Sequence, residues 1–578
     1  LYLPILPEEL KKIPDKCPIC KKRLHIKRTD KRIVKTLSGV VRFDICSRYC
    51  KEHGSFNEPL VSIVNRICPA GRNFDSKVMI AIGILRWHFD YQREEIRNIL
   101  SARGIHISTG KISNLSEEFL LRFYALHKRH VPQIRASFEK RGGVRLHLDG
   151  TGEAGNEIVF MAKEGETGIT MDAQVIPTES KKYVKTFLQA LNSLYGTPIV
   201  VVRDMSKQIR DAATEVFPGA GQQICHYHFV KNLGKVVFKE RYAAFRKNVV
   251  GMRILSQLKR MKADIETMAC PDSENVLVIA ERKWITLAIE HLLISRDRSS
   301  NYPFVLPYLE IMNRVLEVKN MNRRILEWNA SYNLDIFEIV EFSNKLDAIT
   351  GNADVNTKYT NIKEIWGWFE MVRTTLRVGR HLSQNGCETA PTNAQKMKED
   401  MVATLADIDN AGKTHGGELL RAARQITKNC RQHADELFVE VKDHFGNVVE
   451  IMRDNNIEER GHRWSRMHIR RRTGRTRTTN EMAHYGALTA IFSNMENETY
   501  VKEVLSDVKD FIREIQDITP EEIRRSRDLI RPYMRKEMVR SDAKRMEILE
   551  EFVDLLEVGC SVEGWLFKLN FSNAIMTP

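Results

Sequence analysis

The chain has 578 residues, 42% apolar and 29% charged, a composition that excludes a collagenous or disordered chain. Its length predicts several domains, large enough to bury cores without disulfide staples. The formal net charge of +15 favours a polyanionic partner, most often nucleic acid. Apolar stretches such as Val78–Leu85 fall far below the about 18 residues that cross a bilayer. Leu1-Tyr-Leu-Pro4 has no charged segment ahead of an apolar one, so no signal peptide and no membrane partner are expected.

In chain order, the first signal is cysteine. Ten are present, and five stand before residue 70: Cys17, Cys20, Cys46, Cys50 and Cys68. This clustering points to a metal rather than a disulfide framework. Cys17-Pro-Ile-Cys20 is a knuckle that turns two thiolates toward one ion, and Cys46-Ser-Arg-Tyr-Cys50 is a looser second pair. Four thiolates suit tetrahedral Zn2+, and binding would supply folding energy to so small a module. The expected ligands are Cys17, Cys20, Cys46 and Cys50, with His53 or Cys68 able to replace Cys50. Residues 1–70 are therefore expected to form a structural zinc-binding module.

Residues 71–140 change to helical periodicity. Gln92–Leu100 places Ile96, Ile99 and Leu100 at helical spacing, Ala102-Arg-Gly104 supplies a turn, and Ser108 is a good N-cap. A second helix follows with Ile112, Leu115 and Phe119 on its apolar face. Helix, glycine turn and capped helix make a helix-turn-helix candidate, with Thr109, Lys111 and Asn114 exposed to DNA.

Residues 141–235 alternate short strands and helices. Val144–Leu148 ends in Asp149-Gly-Thr-Gly152, strands at Ile158–Ala162 and Ile169–Ile176 follow, and Lys181–Leu194 reads as an amphipathic helix. Pro198–Val202 ends at Asp204, then come a helix and the strand Gln222–Cys225. The order β-β-β-α-β-α-β, with Asp149 and Asp204 closing the first and fourth strands, is that of an RNase H-like mixed sheet. Those strands are neighbours in such a sheet, so the carboxylates converge. Paired carboxylates hold hard cations such as Mg2+ or Mn2+. Two ions about 4 Å apart activate water or a 3′-hydroxyl and stabilise the leaving oxygen of a phosphodiester.

On these residues the sequence resembles DDE-type transposases. Cys225-His-Tyr-His228 is similar to the C/D-x-x-H motif of Mutator-like and related insertion-sequence transposases, here a supporting pair. The resemblance implies a multidomain α/β protein whose RNase H-like core is interrupted by an all-α insertion, expected at residues 236–445. It also implies a return to the core at 446–500 with a catalytic glutamate. Asp454-Asn-Asn-Ile-Glu458-Glu459-Arg460 resembles the family stretch in which Asn-Asn precedes Glu-Arg, which assigns Glu459, with Asp454 where the family usually has Thr. Glu458 and Glu481, the latter in Thr478-Thr-Asn480-Glu481, are the alternatives.

Residues 460–477 hold eight arginines and no acid. Glu459, Arg463, Arg466 and Arg470 share one helix face, so these arginines, with Arg471 and Arg472, are expected to grip DNA phosphates. Trp366, Trp368 and Trp464 are read as core residues. Residues 501–578 are expected as a helical tail. The resulting expectation is an enzyme in which Asp149, Asp204 and Glu459 hold two Mg2+. It would bind double-stranded element-end and target DNA as a homodimer or larger assembly, in a prokaryotic cytoplasm near the nucleoid. A non-catalytic DNA-binding derivative and a metal-dependent nuclease are the alternatives.

Overall fold

The computed structural model describes residues 15–56, 68, 71–152, 157–268, 276–293, 302–378, 393–454, 456–505 and 508–532. The chain is mixed α/β. Strands β1 (His25–Thr36), β2 (Gly39–Cys50) and β3 (Gly54–Phe56) form an antiparallel sheet in that order. Helices α1 (Ser76–Trp87), α2 (Arg93–Ser101), α3 (Thr109–Arg129) and α4 (Val131–Lys140) follow. Then come β4 (Arg145–Thr151), β5 (Ile158–Glu164), β6 (Thr170–Ile176), α5 (Lys181–Tyr195), β7 (Val200–Arg203), α6 (Lys207–Val216) and β8 (Gly221–Ile224). The strand order β6-β5-β4-β7-β8 makes a five-stranded mixed sheet, antiparallel through β4, β5 and β6 and parallel between β7 and β8.

A long helical stretch comes next. It comprises α7 (His226–Gly251), α8 (Ile254–Thr267), α9 (Val276–Leu293), α10 (Pro307–Asn329), α11 (Phe337–Thr350), α12 (Ala353–Thr375), α13 (Ala394–His415), α14 (Gly417–Gln432) and α15 (Ala434–Leu437). A two-stranded ribbon, β9 (Val441–Lys442) and β10 (Val448–Val449), precedes α16 (Asn456–Thr473) and α17 (Thr479–Phe492). The described residues end with α18 (Glu498–Glu503), α19 (Val508–Asp517) and α20 (Pro520–Ile530). Contacts divide the chain into two units. One comprises residues 1–198, 211–218 and 457–578; the other comprises 199–210 and 219–456.

In the first unit, local signals set the helix starts. Asp75 caps α1 by accepting from the Val78 amide at 2.7 Å, and Ser108 caps α3 by accepting from Lys111 at 3.2 Å. The turn between α2 and α3 holds Gly104 at φ +73°, a conformation that costs other residues a Cβ clash. Helix α3 then buries nearly every residue from Phe119 to Leu126. Phe123 meets Phe492 of α17 edge-on, with ring centres 5.2 Å apart. His127 bridges the Met171 carbonyl at 3.0 Å and the Tyr500 hydroxyl at 3.1 Å, and burial pushes it down to about 4, so it stays neutral.

Helix α1 approaches α3 through Gly83. A Cβ there would lie 2.2 Å from the Phe119 ring. Gly83→Ala gains about 1 kcal/mol of helix propensity but is expected to lose about 1–3 kcal/mol to overpacking. Net destabilisation in urea melting is the expected result, and a stabilised variant would show that Phe119 can step aside.

The second unit pairs β7 with β8 and wraps helices around one core. Phe238 meets Trp366 and Phe369 there, with ring centres 5.6 and 5.5 Å apart. Trp368 is buried in the same core, as read from the sequence. Helices α13 and α14 close at Gly412, where a Cβ would stand 2.4 Å from Ala423. Among the described residues, no helix is long and apolar enough to cross a membrane.

Candidate functional site

The first cluster lies in the N-terminal sheet. Cys17-Pro-Ile-Cys20 closes a tight turn in which the Cys17 amide donates to the Lys22 carbonyl at 2.7 Å and Lys21 sits at φ +59°. A second turn follows Cys50, where β2 reverses into β3 and Cys50 pairs with Gly54. That turn carries His53. The ligand atoms of Cys17, Cys20, Cys50 and His53 lie within 4.8 Å of one another. Cys20 Sγ is 3.5 Å from Cys50 Sγ, and His53 Nδ1 is 3.8 and 3.7 Å from the sulfurs of Cys17 and Cys50. A tetrahedral Zn2+ with ordinary Zn–S and Zn–N bonds requires ligand edges of about 3.6–3.8 Å, so the donor set fits. The His53 ring beside Cys50 holds that thiol below its ordinary range.

Of the expected quartet, Cys17, Cys20 and Cys50 fall in this cluster, together with His53. Cys46 pairs with Thr29 in the middle of the hairpin, and its side chain lies outside what is described. Four residues of extended strand separate its Cα from that of Cys50 by about 13 Å, too far for both to reach one ion comfortably. Cys68 is not in the cluster: its thiol donates to the Arg72 and Phe74 carbonyls, both at 3.1 Å.

The carboxylates read from the sequence fall in different units. Asp149 lies within β4 rather than after it, opposite Met161 on β5, and is buried. Its Oδ1 accepts from the Gly150 amide at 3.0 Å. A Cβ at Gly150 would sit 2.0 Å from Glu179 Oε1, the far end of a flexible side chain that would have to move aside. Asp204 follows β7 and is half-buried. Its Oδ1 accepts from the Ser206 amide at 2.8 Å, a turn that opens α6. Each carboxylate thus has one oxygen oriented by backbone, and both are hard oxygen donors suited to Mg2+.

Cys225 sits next to Asp204 along the sheet, since its amide donates to the Arg203 carbonyl at 2.7 Å. It is wholly buried with Val200, Val202, Val441 and Ile451, and His228 is half-buried in the first turn of α7. Between them His226, which sequence reasoning passed over, is buried at 2.9 Å from the Leu437 carbonyl and 3.3 Å from that of Leu376. Burial pushes it down to about 4. The His226 amide also donates to the Arg453 carbonyl at 2.8 Å. That bond anchors the strand leading to buried Asp454 beside the ends of β7 and β8.

Residues 92–283 match the family described as transposase, Mutator family. The match supports a Mutator-like transposase. No curated protein matches the chain. The matched stretch contains Asp149, Asp204, Cys225 and His228, and it stops well short of Glu459. A family of this description implies an activity that cuts or transfers DNA.

Helix α16 carries the remaining candidates. Glu458 and Glu459 fall in its first turns, and their side chains lie outside what is described. Arg463, Arg466, Arg470 and Arg471 are exposed. Arg466 Nη2 donates to Thr151 Oγ1 at 2.8 Å, so α16 lies against the β4 end that bears Asp149, within one unit. Arg472 departs from the expected phosphate-gripping set. It is buried, 3.1 Å from Asp90 Oδ1, with its guanidinium 4.5 Å from the Trp87 ring centre. Burial pushes it down to about 10, still charged at neutral pH. His468 Nδ1 stands 2.5 Å from the other Asp90 oxygen, and Trp464 packs on His468 with centres 3.9 Å apart. Trp464 also donates to Glu496 at 2.9 Å and is half-buried rather than in the core. Glu481 belongs to this same neighbourhood, where its charge acts on Arg86 and Arg472.

Asp90→Asn is expected to cost about 3–5 kcal/mol by taking from buried Arg472 the carboxylate it pairs with. Asp90 has φ +60°, and Asn tolerates that backbone, so the loss reads charge rather than strain. Urea melting measures it, and an unchanged midpoint would refute the pairing. In the helix-turn-helix candidate, Asn114 is exposed as expected, whereas Thr109 and Lys111 are half-buried.

Proposed function

We propose that the chain is a DDE transposase that binds element-end DNA, cuts phosphodiester bonds and joins the 3′-hydroxyl ends to target DNA. Asp149, Asp204 and Glu459 hold two divalent cations in this reading, on an RNase H-like core interrupted by the helices α7–α15. The observation that carries it is the Arg466–Thr151 bond. Glu459 precedes Arg466 by two helical turns on the same face, and Thr151 follows Asp149 by two residues on β4. The family match over Asp149 and Asp204 supports the same assignment. Within the second unit, the His226–Arg453 bond holds residues 453–454 beside the ends of β7 and β8, where Asp204 stands.

When bound, two Mg2+ or Mn2+ ions supply charge that activates the attacking hydroxyl or water and stabilises the leaving oxygen. The chain's own residues do the rest. Backbone amides at Gly150 and Ser206 aim the carboxylates. Exposed Arg463, Arg470 and Arg471 neutralise strand phosphates. Cys225 and His228 support the strand ends. The Cys17, Cys20, Cys50 and His53 cluster holds structural zinc, and α2 and α3 bind duplex DNA through Asn114 and its neighbours. The active form is a homodimer or larger assembly, one centre for each element end.

The test is incubation of the purified chain with a supercoiled plasmid carrying the DNA that flanks its gene, with Mg2+ or Mn2+ and nucleotide-resolution mapping of breaks. Breaks at the element boundary with joined products support the transposase. Scattered nicks without joining would turn the reading to a nuclease, and binding without cutting to a DNA-binding derivative.

A further inference from the structure

The helical stretch of the second unit carries two adjoining cavities that no role above uses. One, of about 800 Å³, opens at the junction of α7 and α8 and is lined by Arg253, Lys259 and Arg260. The other, of about 570 Å³, is lined by Lys239 and Arg246 together with Tyr242 and Tyr302. Leu255 and Tyr308 are walls of both, so the two form one groove. All five cations are exposed, and among the described residues none of them forms an ion pair. No carboxylate lines either cavity. Five exposed cations along one groove, none of them in an ion pair among the described residues, make a field that a polyanion satisfies.

The aromatic side of the groove narrows the ligand. Tyr302 lies nearly parallel to Tyr242, with ring centres 6.1 Å apart and planes inclined by 22°. The Arg246 guanidinium stands 5.7 Å from the Tyr308 ring centre. Tyr302 and Tyr308 are half-buried and line the groove. The Tyr308 amide donates to the Tyr242 hydroxyl at 3.0 Å, which ties Tyr242 to the start of α10. Rigid aromatic faces beside a line of cations are what single-stranded nucleic acid uses, bases on rings and phosphates on cations.

We infer that the α7–α8–α10 groove binds a single-stranded segment of DNA, with Lys239, Arg246, Arg253, Lys259 and Arg260 on phosphates and Tyr302 under a base. The inference rests on the DNA-acting reading above and adds a second DNA surface, remote in sequence from α3 and α16.

The experiment uses the full chain and a fluorescein-labelled DNA strand of about 20 nucleotides, single or annealed, followed by anisotropy across a salt series. Arg246→Gln/Arg253→Gln/Arg260→Gln changes exposed side chains only, and unchanged thermal melting confirms that it folds. Its single-strand affinity is expected to fall about tenfold or more, and the log–log salt slope to shrink by about 2, near 0.7 for each lost phosphate contact. Duplex affinity should change less than about threefold, since α3 and α16 carry it. Tyr302→Leu keeps apolar bulk without the ring face and should weaken single-strand binding about fivefold or more at an unchanged slope. Wild-type affinity and slope in the triple variant would overturn the inference, as would an equal loss on duplex. If those variants bind normally while Arg463→Gln/Arg470→Gln does not, the groove fails and the DNA-acting reading stands. If the wild type binds neither form, both fail.

Discussion

Asp149→Asn is expected to reduce metal-dependent strand cleavage by about a thousandfold or more while leaving DNA affinity within about threefold of wild type. Asparagine has nearly the same shape, and its oxygen can still accept from the Gly150 amide. It lacks the charge that holds a divalent cation, so the variant should fold, bind and fail to cut. Asp149 is buried in β4, so thermal melting of the variant checks that it folds before its cleavage is read. Asp204→Asn should behave alike, its anchor being the Ser206 amide. Glu459→Gln should match both, whereas Glu481→Gln, beside Arg86 and Arg472, should retain cleavage. Plasmid nicking and anisotropy on the same preparations separate the two effects. Cleavage by Asp149→Asn at the wild-type rate would remove Asp149 from the reaction. Loss in Glu481→Gln with retention in Glu459→Gln would keep the core and move the third carboxylate.

The second large effect concerns zinc. His53→Ala or Cys50→Ser should lower the metal content from about one zinc per chain to near zero and release the β1–β2 hairpin from hydrogen-exchange protection. Structural zinc supplies about 10–16 kcal/mol of coupled folding free energy in small modules, more than this exposed hairpin can replace by burial. Cys46→Ser should keep both metal and protection, because Cys46 stands mid-strand opposite Thr29. The reverse pattern, zinc lost with Cys46 and kept without His53, would restore the all-cysteine site. Removing zinc should leave the second unit's melting unchanged, because its core has no residue in the module.

Much of this architecture was legible along the chain. The element order from β4 to β8 follows from alternating apolar runs and the glycine turn before Thr170. Thr519 and Pro520 announce α20, with Glu522 completing the cap. The arginine run reads as one helix, and α16 carries it as far as Thr473, with Arg475 and Arg477 beyond its end. Three site assignments were less legible. The Cys50-Lys-Glu-His53 spacing repeats that of Cys17-Pro-Ile-Cys20 and is the signal that could have placed His53 in the quartet. Arg472 is indistinguishable in sequence from Arg470 and Arg471. His226 lies inside the Cys225–His228 motif, yet it is the histidine whose ring is wholly enclosed.

By itself the sequence determined local matters: where helices begin, which strands alternate, which residues can bind a hard or a soft cation, and an excess of positive charge. Those depend on neighbours a few positions away, through capping, periodicity and donor chemistry. Only the tertiary structure decided which arginine faces solvent and which faces Asp90, and which of the clustered cysteines stand together with His53. It also decided that five cations scattered from Lys239 to Arg260 line one groove with Tyr302 and Tyr308. These choices depend on partners brought near through space, and burial changes the cost of a charge by several kcal/mol without altering a single letter of the local sequence.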